Sequence, residues 1–138
     1  DFNFTTEREK AYFIAYSLKN IGYEVKMEIP VIVSGTKIRR FDIIATKDNN
    51  KYVIEIKATD KFKYLKPEDL EPHLKAFDEF NIDKNESNTK FVFVFDDYKL
   101  TKDAKILMEE YSEKCIILDR ISIQKLFAGI DVFSEIDN

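Results

Sequence analysis

A chain of 138 residues, 44% hydrophobic and 35% charged, is long enough for one hydrophobic core and too short for two independent ones. Its single cysteine excludes an internal disulfide and a cysteine-based zinc cluster, and its apolar runs are too short to cross a membrane. The net charge of −4 argues against binding nucleic acid by bulk charge alone. We therefore expect a single cytoplasmic domain over residues 1–138. The first residue, Asp1, is not a methionine, which suggests a piece of a larger protein.

The first predicted element is a helix that begins at Glu7 and stops before Gly22. The preceding pattern Thr6-Glu7-Arg8-Glu9 is typical of a capping box, with Thr6 as the N-cap and Glu9 as its partner. Glu7 lies on the centre line of the apolar stripe, where an acid needs a partner, whereas Glu9 points to the opposite side. The stripe consists of Ala11, Ile14, Ala15 and Leu18.

Three strands follow, over residues 23–33, 37–46 and 51–58. Turns are predicted at Ser34-Gly35 and at residues 47–50, where Lys-Asp-Asn-Asn is a strong turn signal. Short connections of this kind join antiparallel neighbours, so the three strands are expected to form a meander.

The remaining chain alternates helices and strands. A basic loop (59–66) precedes a helix over 68–80, whose first turn contains Pro67 or Pro72, and a polar loop then covers 81–89. The continuous apolar run 91–95 is typical of a strand covered on both faces. Thr101 is expected to cap a helix to about residue 114, and Ser122 a final short helix after a strand over 115–118. The order αβββαβαβα predicts one α/β domain, a mixed sheet with helices on both faces.

Charged residues interrupt two of the predicted strands. Asp42 lies within an apolar run of the second strand, and Glu55 and Lys57 lie among valine and isoleucine in the third. Alternation places Val53, Glu55 and Lys57 on one face and Tyr52, Ile54 and Ile56 on the other. Pairing across the turn brings Asp42, Glu55 and Lys57 toward one edge, with Glu7 expected from a helix packed on that same face.

Three carboxylates and one ammonium suit a hard divalent cation, Mg²⁺ with Mn²⁺ as a substitute. Such an ion activates water and neutralises charge on a phosphoryl group, and a lysine beside it orients or deprotonates the water. Nothing in the sequence supports Ser/His/Asp or Cys/His nucleophilic catalysis, since the chain has one histidine (His73) and one cysteine (Cys115). A glycine-rich phosphate loop is also absent from the sequence, because its three glycines are isolated.

The sequence Phe41-Asp42, twelve residues, then Glu55-Ile56-Lys57 resembles the PD-(D/E)xK pattern of restriction-endonuclease-like nucleases. The helix opening with Glu7 is similar to that of archaeal Holliday-junction resolvases, and residues 115–126 resemble the end of the Mrr-like branch. Phe41 replaces the proline of the motif. The glutamine that Mrr-like members often carry after the ExK is missing here, where His73 or Lys75 is the nearest polar candidate.

This resemblance implies a restriction-endonuclease-like αβββαβ core. It also implies that Asp42 and Glu55 bind the metal and that Lys57 is the catalytic lysine. Glu7 would be the supporting ligand, with Glu9 as the alternative acid. The expected function is a Mg²⁺-dependent endonuclease that hydrolyses DNA phosphodiester bonds, restriction-like or junction-resolving. Its expected partners are DNA, a second copy in a homodimer, and other domains of a parent protein.

Two alternatives remain open at this point. The same residues are compatible with an RNA endonuclease. They are also compatible with a catalytically inactive binding or assembly module, in which Glu55 and Lys57 form an ion pair and Asp42 is solvated.

Charge is unevenly distributed along the chain. Residues 37–66 contain nine basic and four acidic side chains, a local charge of +5, which leaves −9 for the rest. Cations of this segment are candidate contacts to backbone phosphates, although charge alone favours a solvated hairpin rim. The candidates are Arg39, Arg40, Lys61, Lys63 and Lys66.

Overall fold

A computed structural model describes residues 7–33, 37–57, 63–84, 88–95, 98–111 and 113–137. Its elements, in chain order, are α1 Glu7–Asn20, β1 Glu24–Val33, β2 Lys37–Lys47, β3 Asn50–Lys57, β4 Lys63–Leu65, α2 Pro67–Lys84, β5 Thr89–Phe95, β6 Tyr98–Leu100, α3 Lys102–Glu110, β7 Cys115–Leu118, α4 Arg120–Phe127 and α5 Val132–Asp137. Among the described helices, none is both long and apolar enough to cross a membrane.

Five strands form the main sheet in the order β1-β2-β3-β5-β7. The first three are antiparallel neighbours, as the short turns between them predict. The next two run parallel to β3 and follow helices α2 and α3, which are the crossover connections that parallel pairing needs. A second small sheet pairs β4 with β6 in parallel. The predicted mixed sheet is therefore confirmed.

Helices cover both faces of the sheet, which separates two clusters of buried side chains. On one face α1, α4 and α5 pack on β3 side chains Tyr52, Ile54 and Ile56. On the other face α2 and α3 pack on Val53 and on a group of phenylalanines. That group consists of Phe41, Phe77, Phe91, Phe93 and Phe95. Strand β5 is buried on both faces, which explains its continuous apolar sequence.

Helix α1 has the predicted start, end and apolar stripe. Glu7 is its first residue, and Gly22, just beyond its end, adopts φ = 100°, which glycine tolerates without a Cβ clash. Ala11, Ile14, Ala15 and Leu18 are all buried. Thr6, the predicted N-cap, lies outside the described residues.

The β2–β3 turn closes one end of the meander. Asp48 and Asn49 have φ of 51° and 69°, as a two-residue hairpin turn with both central residues left-handed requires. Close by, Asp131 accepts a hydrogen bond from the Tyr23 hydroxyl at 2.9 Å and lies 3.5 Å from Lys47 Nζ. Lys47 also donates to the Ile21 carbonyl at 2.8 Å. These contacts tie the turn end of the sheet to α1 and α5.

Several boundaries differ from the prediction. Helix α2 begins at Pro67 and continues to Lys84. The predicted helix ended too early because the last turn is polar and shows no apolar periodicity. Part of the predicted basic loop is strand β4, which depends on its partner β6 rather than on local sequence. Helix α3 ends at Glu110, before residue 114.

The cap of α4 also differs from the prediction. Asp119, not Ser122, is the N-cap, since its carboxylate accepts the Ser122 amide at 2.9 Å. Helix α5 was not predicted, because its six residues are too few to show helical periodicity.

Candidate active site

Asp42 lies where the regular β2–β3 ladder ends. Main-chain pairing runs from Lys47 opposite Asn50 up to Ile43 opposite Ile54. Beyond this point Asp42 Oδ2 accepts a hydrogen bond from the Ile56 amide at 2.8 Å. The carboxylate of Asp42 is thereby fixed to the main chain of the Glu55-Ile56-Lys57 segment.

The alternation of side chains along β2 also breaks at Asp42. Phe41 packs in the phenylalanine cluster beneath α2, whereas Ile43 packs beneath α1 on the opposite face. In an uninterrupted strand these two side chains would share a face. The irregularity turns Asp42 toward α1.

Glu28 lies opposite this irregularity on β1. The paired residues on either side, Met27 with Ile43 and Ile29 with Phe41, place Glu28 across from Asp42. Glu28 has φ = 51°, a left-handed conformation that costs a glutamate about 1–2 kcal/mol. Unusual backbone of this kind is often found at functional sites. Nothing in the sequence around Glu28 indicates this conformation, so Glu28 is not among the predicted site residues.

A cavity of about 230 Å³ opens between α1, β1 and β2, and we call it the acidic pocket. Three carboxylates reach it from three elements, one each from α1, β1 and β2. Its lining residues are Glu7, Arg8, Ala11, Tyr12, Met27, Glu28 and Asp42. The structure therefore brings together Glu7 and Asp42, two of the predicted site residues, and adds Glu28.

The charges around this pocket shift the pKa of Asp42. Burial raises the pKa of Asp42 above its ordinary value, and the negative charges of Glu7 and Glu28 raise it further. The Ile56 amide and the Lys57 ammonium act in the opposite direction. Because the net shift is upward, ionised Asp42 is electrostatically disfavoured where it lies. A bound cation would reverse that balance.

Glu55 points to the other face of the sheet. It is 6% exposed, and its Oε2 lies 3.5 Å from Nδ1 of His73 on α2. The His73 ring meets the Phe93 ring edge-on at 5.4 Å between centroids. His73, one of the two polar candidates for the position of the missing glutamine, is thus a half-buried neighbour of Glu55.

One geometric expectation is therefore wrong. Helix α1, which contains Glu7, does not pack on the face of Val53 and Glu55, but on the face of Ile54 and Ile56. Asp42 nevertheless meets Glu7, because the break in alternation on β2 turns it toward α1. Glu55 is not one of the described residues that line the acidic pocket.

Lys57 ends β3 and is half-buried, close enough to Asp42 for its charge to lower the Asp42 pKa. The Lys57 carbonyl accepts a hydrogen bond from Nζ of Lys10 at 3.4 Å. Lys10 is completely buried and, among the residues that the structure describes, is the only charged one in the set of largest fully buried side chains. Lys10 is not among the predicted site residues. Its spacing of three from Glu7 and four from Ile14 places it on the buried stripe and could have identified it.

The predicted phosphate-binding cations are only partly described. Arg40 on β2 and Lys66 before α2 are exposed. For Arg39 and Lys63 the structure describes the strand backbone alone, and Lys61 lies outside the described residues. Their role stays a prediction.

The donor chemistry of the acidic pocket fits a hard divalent cation. Within the described part of the chain, no three His, Cys, Asp or Glu side chains converge as a preformed metal site. Magnesium, however, is commonly bound through one or two carboxylates while keeping several waters. Asp42 and Glu7, which line the pocket together with Glu28, supply carboxylates of this kind.

Comparison with known proteins identifies the fold. No family model and no curated protein matches the sequence. The solved structure of a protein of unknown function, AF1548, matches with a TM-score of 0.67 and 16% identity over 83% of this chain. A repair endonuclease from Pyrococcus abyssi matches with a TM-score of 0.55 and 14% identity over 86%. An EndoMS–dsDNA complex matches with a TM-score of 0.53 and 20% identity over 86%.

The mixed sheet, its flanking helices and these matches define a restriction-endonuclease-like fold, as the αβββαβ prediction anticipated. At identities of 14–20% the matches show the fold alone. This chain spans 58%, 49% and 46% of the three matched chains, respectively. Assignment to the resolvase or Mrr-like branch stays a prediction.

Proposed function

We propose that this chain is a Mg²⁺-dependent endonuclease that hydrolyses DNA phosphodiester bonds. The observation that carries the proposal is the hydrogen bond from the Ile56 amide to Asp42, which connects Asp42 in the acidic pocket to the main chain of the Glu55-Ile56-Lys57 segment. The nuclease fold supports it, as do the matched structures, one a repair endonuclease and one an EndoMS complex with double-stranded DNA.

Asp42 would hold the ion, with Glu7 as supporting ligand and Glu55 as the second acid of the motif. Bound there, Mg²⁺ would neutralise negative charge on a phosphoryl oxygen. Lys57 would orient the attacking water and stabilise the developing negative charge. Lys10 would position Lys57 through its hydrogen bond to the Lys57 carbonyl.

The test is cleavage of labelled plasmid, single-stranded DNA, four-way-junction DNA and RNA, with Mg²⁺, Mn²⁺ or EDTA. Asp42→Asn and Lys57→Met keep the size of each side chain and remove its charge. Asp103→Asn on α3 and Lys99→Met on β6 make the same changes at exposed positions and serve as matched controls. Cleavage that disappears in EDTA and in the site variants, but not in the controls, supports the proposal. Cleavage that survives Asp42→Asn contradicts it. If the protein cleaves RNA but no DNA, the proposed substrate is wrong and the assignment of the active site stands.

A catalytically inactive binding module is the second candidate. The observation in its favour is that Glu55 is buried beside His73 and does not reach the acidic pocket. Calorimetric titration with Mg²⁺ separates the two functions. Binding that is lost in Asp42→Asn favours the nuclease, whereas no binding together with no cleavage favours the module.

A further inference from the structure

A row of exposed aromatic side chains lies on α1 next to the acidic pocket. Tyr12 is 52% exposed, Phe13 49% and Tyr16 66%, unusually high values for large apolar side chains. With Ala15, Lys19 and Met27 they line a groove of about 520 Å³, which we call the aromatic groove. Tyr12 and Met27 line both the groove and the acidic pocket, so the two cavities are adjacent.

The groove lies between two cations. Arg8 lines the acidic pocket, and its guanidinium contacts Tyr12 both through the hydroxyl, at 3.3 Å, and over the ring, 5.7 Å from its centroid. Lys19 lines the other end. At 100° per residue Arg8, Tyr12, Tyr16 and Lys19 form one narrow stripe along the helix.

This order of groups suits a nucleic-acid strand better than an apolar protein segment. Tyr12 and Tyr16 are one helical turn apart, about 6 Å along the axis. That interval is close to two base-stacking steps of about 3.4 Å each, so one base fits between the two positions. Aromatic platforms with flanking cations bind single strands by stacking the bases and contacting the phosphates.

We propose that the aromatic groove binds unpaired nucleotides next to the phosphate held at the acidic pocket. This inference rests on the proposed nuclease function and deepens it. The substrate class it names is nucleic acid with an unpaired segment beside the cut, such as a single strand, a flap or an open junction. Arg8 and Lys19 contact the phosphates, and Tyr12 and Tyr16 stack on the bases.

The test measures binding of a short single-stranded oligonucleotide that carries one fluorescent adenine analogue, with its blunt duplex as competitor. Measurement in EDTA prevents cleavage, so stacking is detected independently of catalysis. The double variant Tyr12→Leu/Tyr16→Leu keeps the apolar surface and removes the rings. Tyr12→Phe/Tyr16→Phe restores the rings without the hydroxyls. Ile106→Ala, on an exposed apolar side chain of α3, is the control.

We expect the wild type to quench the analogue and to prefer the single strand to the duplex. The leucine variant should lose about tenfold or more in affinity, within the range for one or two stacked bases. The phenylalanine variant should recover most of that loss, and Ile106→Ala should bind like the wild type. Equal losses in Ile106→Ala and the leucine variant would overturn the assignment to this groove.

Unchanged single-strand affinity in the leucine variant overturns the proposal. A wild-type dimer that dissociates in Tyr16→Ala, with single-strand affinity unchanged, would make the groove a contact between copies of this chain and also overturn it. If the leucine variant binds normally while Asp42→Asn abolishes cleavage, the groove assignment fails and the nuclease function stands. If binding falls as expected but no substrate is cut, the groove stands and the catalytic assignment fails.

Discussion

The two ends of the β1–β2–β3 meander differ in the regularity of their strand pairing, in the residues that adopt left-handed backbone and in the pairing of their charges. At the turn end the ladder is regular, left-handed backbone falls on Asp48 and Asn49, and the charges of Lys47 and Asp131 are paired. At the other end the ladder is interrupted, left-handed backbone falls on a glutamate, and like charges face one cavity.

This difference shows which polar groups serve stability and which do not. Aspartate and asparagine tolerate left-handed backbone, and a paired network at the turn fixes the sheet to two helices. Asp42 instead lies where burial and the negative charges of Glu7 and Glu28 raise its pKa and so oppose its ionisation. Such an arrangement reduces stability, and it is retained where a ligand such as a cation compensates.

The largest effect is expected at the interrupted end. Asp42→Asn should lower Mg²⁺-dependent cleavage by about a hundred- to a thousandfold, the effect of removing one group that acts on developing charge. The same variant should be more stable than wild type at neutral pH. Because the pKa of folded Asp42 is raised, the native state is destabilised as pH increases through that pKa, and asparagine removes the effect.

Cleavage assays and thermal unfolding at neutral pH measure the two effects separately. The asparagine oxygen can still accept the Ile56 amide, so the fold should persist. A variant that loses both activity and stability would show that Asp42 is structural, and the contrast between the two ends would disappear.

The next effect is at the turn end and has the opposite character. Asp131→Ala removes the acceptor of the Tyr23 hydroxyl and of the Ser134 amide, and the partner of Lys47. Leaving these groups unsatisfied should reduce the free energy of unfolding by about 1–3 kcal/mol. The activity of the remaining folded protein should not change.

Chemical denaturation measures this loss. Glu135→Ala is the matched control, since the Lys125–Glu135 pair is exposed and should contribute about 0.5 kcal/mol or less. Equal losses from both substitutions would mean that the turn-end network contributes no more than a surface ion pair.

A smaller effect follows from the backbone of Glu28. Glu28→Gly relieves the cost of φ = 51° but increases the entropy of the unfolded chain, for a net stabilisation of about 0.5 kcal/mol. Asn49→Gly, at φ = 69° in the turn, should give no stabilisation because asparagine already tolerates that conformation. Paired denaturation curves test the difference. A destabilising Glu28→Gly would show that the conformation of Glu28 is not strained.

The smallest expected effect is a change in the titration of Asp42. Glu7→Gln removes a negative charge that raises the Asp42 pKa, so this pKa should fall. Lys57→Met removes a positive charge that lowers it, so the pKa should rise. Carboxyl-carbon NMR of the metal-free protein follows both shifts, with the exposed Glu9→Gln as control. Shifts in the same direction for the two variants would contradict the charge arrangement of the acidic pocket.

Much of the fold could be predicted because its signals are local. The apolar stripe of α1, the Asp48-Asn49 turn and the buried run of β5 each depend on neighbouring residues in sequence. Strands β4 and β6 could not be predicted from the sequence, because each has only three residues and forms by pairing with the other, distant strand.

The sequence by itself determined the mixed α/β class, the antiparallel meander and the residue pattern Asp42, Glu55 and Lys57. Only the tertiary structure decided which of these three side chains lie close together. Strand periodicity assumes regular pairing, and the ladder breaks where Asp42 binds the Ile56 amide. That break directs Asp42 to Glu7 and Glu28 on one face, while Glu55 meets His73 on the other. The position of buried Lys10 at the Lys57 carbonyl likewise depends on how α1 packs on the sheet.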